Sequence, residues 1–196
     1  MAYTLNDVFY LDLQFDLASP AVNTETGKTM DISSYIEPTP KTGSGTGLAI
    51  YKVHFDWSDT TGNSTVGNDE KGAGRAALIV GNIGFGSTTS LVAMDDFTLS
   101  NSNQNLIASQ DFYGPHYGDQ VTAVGLATPG MAYEQEIQMP STEVPFVAVR
   151  NALNLVWGQN PSQAGTTTTN ISVRLEVAQI KLSSRVMNQL LRTQTA

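Results

Sequence analysis

The chain has 196 residues, of which 40% are apolar and only 14% charged, with 18 acids against 10 bases and no cysteine. That apolar share excludes a chain disordered throughout, and the missing thiols exclude a disulfide framework, a thiolate nucleophile and a Cys-based zinc site. The net charge of −8, with no basic run anywhere, argues against direct contact with nucleic acid, which needs clustered Lys and Arg on the phosphate backbone.

This length suits one domain spanning residues 1–196 with a sizeable core. Gly, Ser, Thr, Asn and Gln stand where charges would be, which is the composition of strands and turns rather than of surface helices rich in Glu and Lys. Residues Met1–Asp7 carry no basic stretch and no long apolar run, so no secretory leader is expected. No run of roughly 18 apolar residues predicts a membrane-spanning helix. An intracellular product, later assembled or released, is the expectation. An acidic surface repels nucleic acid and anionic lipid, and it suits a high-salt setting that screens its own repulsion.

After an N-terminal arm (1–7), the first strand is the clearest signal. Phe9, Leu11, Leu13, Phe15 and Leu17 alternate with Tyr10, Asp12, Gln14 and Asp16, so one face is buried and the other wet. Thr24–Lys28 reads as a turn, and Ile32–Ile36 as a short strand. Pro38–Gly47 reads as a flexible loop. Alternation returns with Ala49, Tyr51, Val53, Phe55 and Trp57 against Lys52, His54 and Asp56. Ser58–Gly74 is a long polar loop.

Ala76–Phe85 reads as a strand buried on both faces. Leu91–Leu99, Leu106–Phe112, Val121–Leu126 and Ala132–Met139 are further strands. Val144–Trp157 is apolar and interrupted at Arg150-Asn151, and Gln159–Thr169 is another loop. In the last strand, Ile171, Val173, Leu175 and Val177 give way to Ile180 and Leu182, a slip that predicts a β-bulge near Ala178-Gln179. The tail (183–196) is predicted to be a short helix capped by Ser183 or Ser184, with Val186, Met187, Leu190 and Leu191 on one stripe. It either covers a sheet edge or docks on a neighbouring subunit. Eight to ten strands with turn signals between them predict an all-β sandwich over 8–182.

No set of residues predicts catalysis. His54 lies between Lys52 and Asp56 on a wet strand face. His116 sits in a turn-rich loop with Asp119, but no nucleophile elbow accompanies it. Glu134 and Glu136 share one strand face, whereas paired glycosidase carboxylates usually come from different strands. Lys71–Arg75 lacks the ending of a phosphate-binding loop. The sequons at Asn63 and Asn170 are uninformative without a leader. Asp56, Asp59, Asp69 and Glu70 crowd one loop region, and flexible oxygen ligands suit a structural Ca²⁺, though their spacing is not that of an EF-hand. Asp95-Asp96 and Asp111 are weaker candidates. The chain is therefore expected to be no enzyme and to need no cofactor beyond a possible structural cation.

The long alternating strand Phe9–Leu17, the Gly/Thr/Ser/Asn loops, the slipped last strand Asn170–Leu182, the acidic balance and the lack of cysteine resemble the single jelly-roll major capsid proteins of tailless icosahedral, membrane-containing viruses. In particular the layout resembles the small major capsid proteins of such viruses of halophilic archaea and of Thermus. The likeness is architectural, covers roughly 8–182, and departs in having no basic N-terminal arm. It implies a single jelly-roll sandwich of about eight strands plus extras, whose strands stand upright in a virion shell. It also implies homo-oligomeric capsomers, other capsid subunits as partners, an internal membrane beneath, assembly in the host cytoplasm and no direct nucleic acid. Val186, Met187, Leu190 and Leu191 would be assembly contacts, and their removal with residues 184–196 is expected to leave the sandwich folded. Strand count alone does not fix connectivity. Two other functions share the pattern: a carbohydrate- or ligand-binding module, and a tail, fibre or pilus-like subunit.

Overall fold

Strands that are apolar on one face must bury it against a second layer. The computed structural model describes residues 7–17, 25–38, 44–59, 73–81, 89–91, 104–113, 133–160 and 169–194. The strands are β1 (Phe9–Leu17), β2 (Glu25–Asp31), β3 (Ser44–Asp59), β4 (Ala73–Val80), β5 (Thr89–Leu91), β6 (Leu106–Tyr113), β7 (Tyr133–Gln138), β8 (Phe146–Ala148), β9 (Ala152–Asn160) and β10 (Thr169–Ser183). A C-terminal helix, α1 (Ser184–Thr193), follows.

Two antiparallel sheets result, one in the order β1-β10-β3-β8 and the other in the order β5-β2-β9-β4-β6-β7. Four pairings fix the connectivity: β1 with β10, β2 with β9, β3 with β8 and β4 with β6. Each strand pairs with its counterpart counted from the other end, as when one long antiparallel hairpin is rolled up. This is the single jelly roll, with β5 and β7 added at the two edges of the larger sheet.

The inner faces meet in one core. Leu48, Ile50, Val53 and Phe55 of β3 and Ile171, Val173, Leu175 and Val177 of β10 face Leu153, Leu155 and Trp157 of β9 and Ala76, Leu78 and Val80 of β4. Trp157 packs on Phe112 of β6 with ring centroids 5.9 Å apart.

Four local expectations need correction. Thr26–Lys28 is strand, not turn, because β2 is stitched to β9 through Gly27 and Lys28. Ile32–Ile36 is not a strand. Ser33–Tyr35 form a single 3-10 turn that drops Ile32 and Ile36 into the core from either end. Gly45 and Gly47 belong to β3 rather than to a loop.

The fourth correction concerns the slip in β10. Lys52 pairs with Glu176 and Ile50 with Val177, so the extra residue is Tyr51 on β3, and β10 runs unbulged. Two residues opposing one reverse the facing of β3. Val53 and Phe55 point inward, while Ala49 and Tyr51 form a small buried cluster with Ala178 on the outer side. The apolar pattern of β10 slips because its far end buries the opposite face, with Ile180 and Leu182 packed beneath α1. The segments 92–99, 114–132 and 60–72, which held other expected strands and loops, lie outside the described residues.

Candidate functional site

Strand alternation places Tyr10, Asp12 and Gln14 of β1, Ser172, Arg174 and Glu176 of β10, and Lys52, His54 and Asp56 of β3 on the outer side of the smaller sheet. Cross-strand register sets them in three rows: Tyr10-Glu176-Lys52, Asp12-Arg174-His54 and Gln14-Ser172-Asp56. Arg174 Nε donates to Asp12 Oδ1 at 2.7 Å, and the guanidinium lies 6.0 Å from the Tyr10 ring centroid. His54 Nε2 lies 3.1 Å from Glu176 Oε1, and Lys52 Nζ 4.0 Å from its other oxygen. The Asp12 hydrogen bond and charge raise the Arg174 pKa further. Asp12 and Arg174 keep more than half of their side chains in water, so this lattice contributes little stability. It makes a hydrated, shallow concavity of about 710 Å³.

At the other end of the same outer face lies α1. Ser183 Oγ accepts from the Val186 N–H and caps the first turn. Met187 is buried against Val149 and Leu182, with Leu190 and Leu191 half-buried beside it. Two glycines admit this packing. A Cβ at Gly45 would meet Met187 Cε at 2.5 Å, and one at Gly47 would meet Leu182 Cδ1 at 2.8 Å. The expected stripe thus divides. Met187, Leu190 and Leu191 pack on the chain's own sheet, while Val186 stays 43% exposed. Arg185, Asn188, Gln189, Arg192 and Thr193 line the outward side of the helix.

A side chain bonds to the backbone at each free edge of this sheet. Gln194 reaches the outer edge of β8, donating from Nε2 to Val147 O at 2.7 Å and accepting from Val149 N at 3.1 Å. Its carboxamide does what the next strand's peptide would do. On β1, Lys28 Nζ donates to Gln14 O at 2.9 Å. Sequence periodicity carries no sign of either contact, since both are single long-range hydrogen bonds.

The candidate cation ligands do not come together among the described residues. Asp56 is exposed beside Ser172, and Asp59 closes β3. Asp69 and Glu70 lie outside the described residues, as do His116, Asp119, Asp95-Asp96 and Asn63. No cluster of three or more His, Asp or Glu forms among the described residues. Asp111 receives a bidentate fork from Arg75 directly across β4 and β6, at 2.6 and 3.0 Å. The fork is a charge-assisted pair across the sheet. Glu136 is exposed on β7 opposite Gln110, and Glu134 is opposite Phe112.

By its strand order the molecule is a jelly-roll sandwich carrying a helix on one outer face. No protein-family model, no curated protein sequence and no solved structure matches the chain.

Proposed function

We propose that this chain is a structural subunit of a virion shell, associating side by side with copies of itself and other capsid subunits into capsomers of an icosahedral particle, and having no catalytic role. The observation that carries this proposal is the strand order, β1-β10-β3-β8 over β2-β9-β4-β6, an architecture used by viral shells as well as by lectins and cupins. The space between the sheets is filled by Trp157, Phe112 and aliphatic side chains, which favours a building block over a container. The side-chain bonds at the edges of the smaller sheet favour association through faces and loops over strand addition, and so a closed shell over a fibre. The lack of any basic run disfavours a shell that touches the genome and is compatible with one lying over an internal membrane.

Mass measurement tests it. Purified protein, examined by sedimentation velocity and electron microscopy at low and high salt, is expected to form rings or larger capsomers. A discrete monomer under every salt condition would sink the proposal.

One feature supports a second function, that of a ligand-binding module. Tyr10 is 61% exposed over the polar concavity of the smaller sheet, and exposed aromatics serve as sugar platforms. Glycan-array binding lost on Tyr10→Ala would favour it.

A further inference from the structure

The charges of this chain are segregated along its length. Residues 76–149 contain seven acids and neither Lys nor Arg. Residues 177–196 contain Lys181, Arg185 and Arg192 and no acid. The exposed charges of the two segments stand on different elements. The basic one is α1, on the outer face of the smaller sheet. The acidic one includes β7, at the edge of the larger sheet, and the turn 141–144 that follows it.

Among the described residues, no ion pair involves Arg185 and Arg192 on one side or Glu136 and Glu143 on the other. All four are exposed. Each surface also shows one exposed aliphatic residue, Val186 at 43% and Val144 at 75%. Apart from Tyr10, these are the large apolar side chains left exposed among the described residues.

We propose that Arg185, Val186 and Arg192 of one copy dock on Glu136, Glu143 and Val144 of the next. This rests on the shell function proposed above and names the contact that joins its subunits. Charge complementarity selects a second copy as the occupant. A bilayer is disfavoured because the apolar stripe of α1 is turned onto its own sheet, and an interfacial helix must sink that stripe into lipid. Three cations also fall short of the roughly 4–8 in a polybasic lipid-binding segment. A nucleic-acid groove needs more neutralised phosphates than these arginines supply. The two patches differ, so the contact is heterologous, and a rotation that closes makes it a ring.

A charge-swap experiment tests the contact. The variants R185E/R192E and E136K/E143K are compared with wild type by sedimentation velocity at about 0.1 M salt, where the screening length is about 10 Å. Each variant alone is expected to lose about tenfold or more in self-association. Mixed in equal amounts they regain it, because an acidic helix then meets a basic β7 and a basic helix meets an acidic one. If a reversal fails to fold by circular dichroism, R185Q/R192Q or E136Q/E143Q is read in its place, with a smaller loss expected. Variants that assemble like wild type, or folded variants that do not recover on mixing, overturn the contact and leave the shell function standing. Wild type that stays monomeric at every salt concentration removes both. Wild type that binds phosphatidylserine vesicles through Arg185 and Arg192, with self-association untouched in the variants, also overturns the contact.

Discussion

Gln194 shows how one side chain completes a sheet. It is only 5% exposed, and its amide satisfies a carbonyl and an N–H that β8 would otherwise leave open. Replacing it by Ala strands the buried Val149 N–H, which costs about 1–3 kcal/mol when no other partner exists. Chemical denaturation of Gln194→Ala is expected to show that loss, and an unchanged midpoint would mean that water replaces the amide. Asp31 acts on a smaller scale, accepting from the Ser33 N–H at 2.8 Å at the start of the 3-10 turn. The backbone and side-chain hydrogen bonds of Ser33 favour the carboxylate and hold its pKa below the ordinary 3.8. A lowered folded-state pKa contributes stability that is complete above the ordinary value and is lost as pH falls through the lowered one. The stability difference between wild type and Asp31→Ala is therefore expected to be constant near neutral pH and to close below about pH 4. A difference that instead grew on acidification would contradict this.

At the scale of elements, α1 and the near end of β3 are fitted to each other. Gly45 faces both a flexible methionine end and the fixed carbonyl of Glu37, 2.7 Å from where a Cβ would stand. Gly47 faces chiefly the movable end of Leu182. Overpacking against backbone costs more than overpacking against a side chain that can turn. Gly45→Ala is expected to destabilise by about 1–3 kcal/mol and Gly47→Ala by less, as read from thermal melting. The reverse order would place the tight contact elsewhere. The bulge at Tyr51 belongs to this scale too. It lets a single strand serve the core with Val53 and Phe55 and the helix-side cluster with Ala49.

For the molecule as a whole, the packing of α1 changes what truncation should do. Removing residues 184–196 uncovers Val149, Leu182 and Ile180 and deletes the buried Met187. Losing one buried side chain of that size alone costs about 2–5 kcal/mol. The truncated chain is expected to be less stable and to expose an apolar patch, seen as a lower melting temperature and increased binding of a hydrophobic dye. A truncated chain as stable as the full one would show that α1 is a mobile appendage. Assembly defects of that truncation would therefore mix folding with contact loss, and surface reversals at Arg185 and Arg192 separate the two.

The sequence by itself marked the strands of strong, regular pattern and the helix, while it missed β2 and the start of β3. The bounds Phe9–Leu17 follow from strict alternation, the two-sided burial expected over Ala76–Phe85 from a mostly apolar run whose strand ends at Val80, and a cap at Ser183 or Ser184 with Met187 on its stripe from helical spacing, the structure choosing Ser183. These signals are local, because period and capping report how much of each face is buried. Tertiary structure alone decided which strands meet. Phe9 pairs with Val177 and Leu48 with Ala148, and periodicity does not encode a partner so distant along the chain. The same reason explains the slip in β10. An apolar pattern that changes parity signals either a bulge or a change in which face is covered, and only the position of α1 distinguished them. The candidate contact was half legible. The stripe on α1 was visible as apolar residues, but only the fold separated buried Met187 from exposed Val186 and left the arginines of the helix exposed.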